Sequence, residues 1–166
     1  VNPTDLVLAI VASLPGQKVK GKKRLQKLAF LLKEAGLRYN ARFDIRDYGP
    51  FSREIAGAAN FLAATGRINE SEQPVGVSHT FVTIYELDIE AQPKVRLSDK
   101  YRKLILQLDQ FSTIDLEVAA TYQYFRSAGA SDAIAKQKTT ELKPTKTSPA
   151  VMRNIPKIVN CLSGDF

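Results

Sequence analysis

Glycine and proline cut the first 70 residues into short pieces. The breakers are Pro15-Gly16, Gly36, Gly49-Pro50 and Gly66. Glycine reaches backbone angles that end a helix, and proline lacks the amide that would continue one. Only short helices and strands fit between them. Leu6, Val7, Leu8, Ile10, Val11 and Leu14 follow Pro3-Thr4-Asp5 and suit a short buried helix ended by Pro15-Gly16. Leu25, Leu28, Ala29 and Leu32 recur at helical spacing, so residues 22–35 read as an amphipathic helix stopped at Gly36. The alternation of Tyr39, Phe43 and Ile45 suggests a short strand or extended loop before Gly49-Pro50. Ser52 is then the expected N-cap of a helix over 53–65, with Glu54 placed to meet the helix dipole.

After Gly66 the pattern changes period. Residues 80–88, Thr-Phe-Val-Thr-Ile-Tyr-Glu-Leu-Asp, are β-branched and aromatic with an alternation of two, which predicts a strand. With 67–70 it makes a hairpin whose arms are 67–70 and 79–88, leaving 70–78 as a loop around Pro74 and Gly76. Residues 89–98 are expected to be an exposed connection or, because of Pro93, a short edge strand. Ser98 is expected to cap a helix over 99–108, Thr113 another that runs to Gly129, and Ser131 a short one over 132–138. The Thr-, Lys- and Pro-rich stretch 139–149 reads as a loop or linker. A last helix, from Ala150 or Pro156 to Leu162, ends the pattern. Tyr101, Phe111, Tyr122, Tyr124 and Phe125 are expected to pack these later helices, or to form a dimer surface.

Helix, basic helix, turn, helix and hairpin is the element order of a winged helix-turn-helix. The expectation is an α+β, mostly helical protein. A winged-helix-like unit would span 1–97 and a helical extension 99–166, packed together as one body.

Charge sharpens this picture. The chain of 166 residues has 24 Lys+Arg against 17 Asp+Glu, a net +7. Lys18, Lys20, Lys22, Lys23, Arg24 and Lys27 form a basic run with no acid inside it. Such a run attracts a polyanion because phosphates neutralised by cations release condensed counterions, or it is simply a solvated basic face. In the first case double-stranded DNA is the expected partner. The basic run and Arg67 would then hold phosphates, while Arg53 and Asn60 on the third helix would read base edges. The same helix also carries Gly57 and Ala64 at helical spacing with Arg53 and Asn60. Small residues let another backbone approach closely. The alternative partner is therefore a protein, docked on Gly57, Ala64 and the Tyr48–Ser52 turn with Tyr48 and Phe51. A homodimer is expected by analogy with paired winged helices.

Catalytic and metal chemistry find little support. His79 and Cys161 are the single residues of their kinds, so the sequence offers no internal disulfide and no Cys/His zinc set. No glycine-rich phosphate loop occurs. Glu141-Leu-Lys143 matches only half of a nuclease motif and lies beside Pro144. Asp44, Asp47, Asp109 and Asp115 have no spacing that gathers them around magnesium. The expectation is a protein that is not an enzyme, with no cofactor and no metal. No apolar run is long enough for a membrane span, and Val1–Leu14 lacks the basic start of a signal peptide, so a cytoplasmic location is expected.

Residues 21–32, Gly-Lys-Lys-Arg-Leu-Gln-Lys-Leu-Ala-Phe-Leu-Leu, followed by Tyr48-Gly-Pro-Phe-Ser52 and the helix ending at Gly66-Arg-Ile68, resemble the small uncharacterised YwgA-like proteins of bacteria and archaea. The likeness covers residues 16–70, with a weaker echo in Leu116-Glu-Val-Ala-Ala-Thr-Tyr122 and Leu142-Lys-Pro144. More distantly, Leu-Gln-Lys-Leu and Tyr-Gly-Pro look like the Panacea domains of SocA-type antitoxins. The nearer resemblance implies a helix-rich, winged-helix-like fold and a prokaryotic source, without an agreed activity. The distant one implies binding to another protein.

Overall fold

The computed structural model describes residues 1–77 and 79–164. The chain is α+β and mostly helical, as the sequence implies. Its elements are α1 (Pro3–Ser13), β1 (Lys18–Lys20), α2 (Lys22–Glu34), β2 (Asp44–Arg46), β3 (Gly49–Phe51), α3 (Arg53–Ala64), β4 (Ile68–Pro74), β5 (Phe81–Leu87), α4 (Asp99–Leu108), α5 (Thr113–Ser127), α6 (Asp132–Leu142) and α7 (Pro149–Leu162). A 3-10 turn at Pro15–Gln17 joins α1 to β1.

Two antiparallel sheets hold the strands. One has the order β1-β5-β4 and the other is the pair β2-β3. In the first, Val19 faces Tyr85 and Glu70 faces Tyr85 from the other side, which puts Tyr85 at its centre. The hairpin is longer than the sequence pattern implies. β4 runs on to Pro74, which pairs with Phe81. Proline is tolerated there because β4 is an edge strand and Pro74 its last residue. β1 lies in the basic run and was not foreseen, since three residues give no usable periodicity.

α2 and α5 form the buried spine. Nine consecutive residues of α2, Arg24 to Leu32, and seven of α5, Leu116 to Tyr122, are buried. α2 is thus enclosed on every face, not amphipathic. It packs against α1, α3, α4, α5, α7 and β3. Leu28, Leu31 and Leu32 show no accessible surface, and each such burial is worth about 1.5–3 kcal/mol. One hydrophobic cluster runs from Leu6 through α2, α3, β5 and α5 to Leu162, so residues before and after 98 share a core.

Several boundaries differ from the pattern. Ser112, not Thr113, caps α5 by accepting from the Asp115 amide. α6 continues to Leu142 because Thr139 is buried and its hydroxyl donates to the Ala135 carbonyl, which satisfies it inside the helix. α7 starts at Pro149 behind the Ser148 cap, an arrangement that suits a proline in the first turn. No helix among the described residues is long and apolar enough to cross a membrane.

Candidate functional site

The Tyr48-Gly-Pro-Phe-Ser52 turn is tied down from two sides by side chains of α2 and by Lys143. Gln26 on α2 donates from Nε2 to the Ser52 carbonyl and accepts from the Ser52 amide at Oε1, both at 2.9 Å. Ser52 in turn caps α3 through the Ile55 amide. Lys27, the next residue of α2, donates from Nζ to the Pro50 carbonyl at 2.9 Å. From the other side Lys143, in the segment expected to be a linker, donates to the Asp47 carbonyl. Gly49 has φ +87, and a Cβ built there would stand 2.8 Å from the Thr121 hydroxyl on α5. Glycine is required at that point both by conformation and by space.

Charge gathers behind this turn. Glu117 on α5 is buried and accepts from Lys143 and Lys146, each at 2.9 Å. Burial pushes its carboxyl up, but the hydrogen bonds from the two lysines outweigh that and hold it below the usual carboxylate range. Lys27 has 1% of its surface exposed, and desolvation lowers its pKa to about 7 despite the Glu117 charge. Lys23 is also lowered, first by desolvation and then by Lys146. Its ammonium sits 3.6 Å above the Tyr48 ring, and Lys146 and Lys143 lie 5.5 and 6.0 Å from the same ring. Three lysines therefore gather on one aromatic face, and all four feel the charge of one glutamate.

A groove of about 420 Å3 opens in front of Tyr48, between the start of α2 and the side of α3. Leu25, Phe51, Ala56, Ala59 and Tyr85 make its apolar lining, and Lys22, Lys23, Gln26, Lys27, Tyr48 and Asn60 its polar one. It joins members of both residue sets anticipated from the sequence: Lys22, Lys23, Lys27 and Asn60 from one, Tyr48 and Phe51 from the other.

The remaining expected residues are distributed as follows. Lys18 and Lys20 are exposed on β1, and Lys22 reaches Glu70 of the hairpin at 3.9 Å. Arg53, Gly57, Asn60 and Ala64 all lie on the exposed side of α3, with open space beyond Gly57. Phe61 joins them, 55% exposed. Arg67 is half-buried at the α3–β4 junction.

Two of the nine proposed nucleic-acid contacts need correction. Arg24 is buried and reaches the α4–α5 turn, donating to the Asp109 carbonyl and carboxylate, the Phe111 carbonyl and the Thr113 hydroxyl. Lys27 is buried on Pro50. Neither faces solvent, so neither is a phosphate contact in this fold. The sequence reading missed them because their partners are mainly backbone carbonyls, which leave no mark in residue type. Gln26, Glu117, Thr121, Lys143 and Lys146 were also missed as site residues. Gln26 stood within the Leu-Gln-Lys-Leu stretch, and the signal for Glu117, Thr121 and Lys143 was the pair of short echoes at 116–122 and 142–144, which meet behind Tyr48.

No Cys, His, Asp or Glu group suited to a metal occurs among the described residues. No protein-family model, curated protein or solved structure matches the chain.

Proposed function

We propose that the protein is a non-catalytic binding module that docks a partner protein on the outer face of α3 and the Tyr48–Ser52 turn. The observation that carries this reading is the composition of that face. Gly57 and Ala64 are small and open, while Phe61 and Tyr48 are large and more than half exposed. Apolar residues placed beside small ones suit close packing against another protein surface. The turn is also held in advance by Gln26, Lys27 and Lys143, which lowers the ordering cost of docking. The antitoxin-like resemblance at Leu-Gln-Lys-Leu and Tyr-Gly-Pro agrees with this reading.

Duplex DNA is the second reading, favoured by the exposed row Lys18, Lys20 and Lys22 beside the hairpin and by the winged-helix order of elements. Against it, Glu70 lines the space between α3 and the hairpin together with Asn60 and Ala64. Glu72 follows two residues along on the same strand. Carboxylates there repel phosphate from the surface that would enter a groove. Prokaryotic origin and a cytoplasmic setting belong to the same proposal.

Affinity capture with the wild-type chain, Gly57→Trp and a triple Lys18→Gln/Lys20→Gln/Lys22→Gln variant tests the partner reading, each captured protein being identified and titrated back in pure form. The expected result is a saturable partner lost with Gly57→Trp and kept by the triple variant. A second copy of this chain is one such partner, seen as concentration-dependent mass in sedimentation equilibrium. Fluorescence anisotropy with labelled duplex at about 50 and 200 mM salt is the counter-test. Binding that falls steeply with salt and disappears in the triple variant would overturn the partner reading in favour of DNA.

A further inference from the structure

We infer that the groove between α2 and α3 is a binding site for a small amphipathic acid: one carboxylate, or a comparable monoanion, on a compact apolar body. The groove shares Tyr48, Phe51 and Asn60 with the partner-docking face, but the inference rests on the groove's own charge and lining and is read by a titration that involves no partner.

The argument begins with unmet charge. Glu117 is the carboxylate of the lysine cluster, and both its oxygens are taken by Lys143 and Lys146. Lys23 makes no ion pair among the described residues and rests on the Tyr48 ring. Among the described residues Lys27 donates to the neutral Pro50 carbonyl and to no carboxylate. Neither ammonium group forms an ion pair among the described residues, Glu117 acting on both only from beyond contact distance, and desolvation outweighs it to lower both pKa values. An anion entering beside Lys23 meets positive charge in a site walled by protein, where the interaction exceeds its value in open water.

The rest of the ligand follows from the lining. Beyond the lysines the wall is Leu25, Phe51, Ala56 and Ala59 with Tyr85. About 420 Å3 lies inside the ~300–1,000 Å3 range of small-molecule sites and holds one or two fused rings or a branched chain. Asn60 at the rim adds a donor and an acceptor that would orient the body. A cavity of about 640 Å3 beside α1 and the 92–97 segment also carries cations, but there Arg102 already has a carboxylate partner in Asp99, and Arg96 and Lys103 are exposed to solvent.

Charge and cavity together make a small acid the occupant. Its test is a titration of 15N-labelled protein with three probes: 2-naphthoate, its neutral counterpart 2-naphthylmethanol, and inorganic phosphate. The expected outcome is saturable movement of the Gln26, Ala56, Asn60 and Tyr85 amides with 2-naphthoate. The alcohol should bind about fivefold more weakly, the size of one partly screened charge interaction. Lys23→Gln should erase that difference, and Ala56→Leu, which fills the groove from a half-buried position, should weaken both ring compounds about tenfold while the spectrum stays native. Four results would overturn the inference. They are no saturation by 2-naphthoate up to about 10 mM, equal affinity for acid and alcohol, phosphate binding as tightly as the ring acid, and saturation only by a short Asp-Leu-containing peptide. The last would make the groove a chain-segment site.

Discussion

Gln26 and Ser52, 26 positions apart in the chain, exchange a reciprocal pair of 2.9 Å hydrogen bonds in which one side-chain amide satisfies both backbone groups of the α3 N-cap. Both residues are buried. A carboxamide is the side chain that supplies one donor and one acceptor in a single plane, so the start of α3 is locked to α2 by residue type and not merely by packing.

Gln26→Leu keeps the volume and removes both partners. It leaves the Ser52 amide and carbonyl buried and unpaired, and the expected cost is about 2–4 kcal/mol in urea unfolding. Gln26→Glu retains an acceptor for the Ser52 amide but opposes the Ser52 carbonyl with a second oxygen, so it should be no milder. Stability within about 0.5 kcal/mol of wild type in both variants would show that water replaces the amide.

Arg24 should behave as a structural residue. Its guanidinium joins α2 to the α4–α5 turn through two backbone carbonyls, the Thr113 hydroxyl and the Asp109 carboxylate. Arg24→Met is expected to destabilise by about 3 kcal/mol, whereas Lys20→Met and Lys22→Met, on exposed positions, should each stay within about 0.5 kcal/mol of wild type. Thermal melting of the three variants side by side checks the contrast.

Glu117→Gln removes the negative charge on which Lys143 and Lys146 converge, with Lys27 and Lys23 near enough to feel it. Buried cations left without their counter-charge make this the most damaging of the single changes, at about 3–5 kcal/mol. Adding Lys143→Met to Glu117→Gln removes one of those cations and should recover part of the loss. A double variant no more stable than Glu117→Gln alone, compared by urea midpoint, would show that the two residues are not coupled.

The residues behind these predictions mark where sequence reading succeeds and stops. α3 and α4 were legible because their apolar residues fall on one stripe, α1 because its apolar run is continuous between Pro3 and Pro15-Gly16, signals that depend on a few neighbouring positions. The exposed face of α3 was legible for the same reason: once Ile55, Ala58, Ala59 and Leu62 go inward, Gly57, Asn60 and Ala64 must go out. α2 was misread as amphipathic because its charged flank looked like a water-facing one. Enclosure by α4, α5 and β3 comes from elements far along the chain, and the carbonyls that receive Arg24 and Lys27 belong to backbone. Lys143 was hidden by its setting, since the Thr- and Lys-rich composition before Pro144 imitates a linker although Thr139 and Lys143 are both buried. The basic run thus divides into an exposed part, Lys18, Lys20 and Lys22, and a structural part that no count of charges separates.

Lys27 gives a pH-dependent signature of that division. In the unfolded chain it titrates near the ordinary lysine value of 10.5, and in the folded protein at about 7, because burial disfavours its charged form. Between those values the unfolded state holds a proton that the folded state has released, so this group makes stability rise as pH goes from 7 toward 10.5. Below pH 7 both states are protonated and the cost of the buried charge is felt in full. The groups facing Lys27, namely Glu117, Lys143, Lys23 and Lys146, are present in wild type and variant alike. The difference between wild type and Lys27→Met therefore isolates Lys27. Wild type should gain on Lys27→Met steadily between about pH 7 and about pH 10 when urea midpoints are compared. A difference that stays flat across that range would mean that Lys27 keeps its proton in the fold, and that the anion-poor end of the groove is charged throughout.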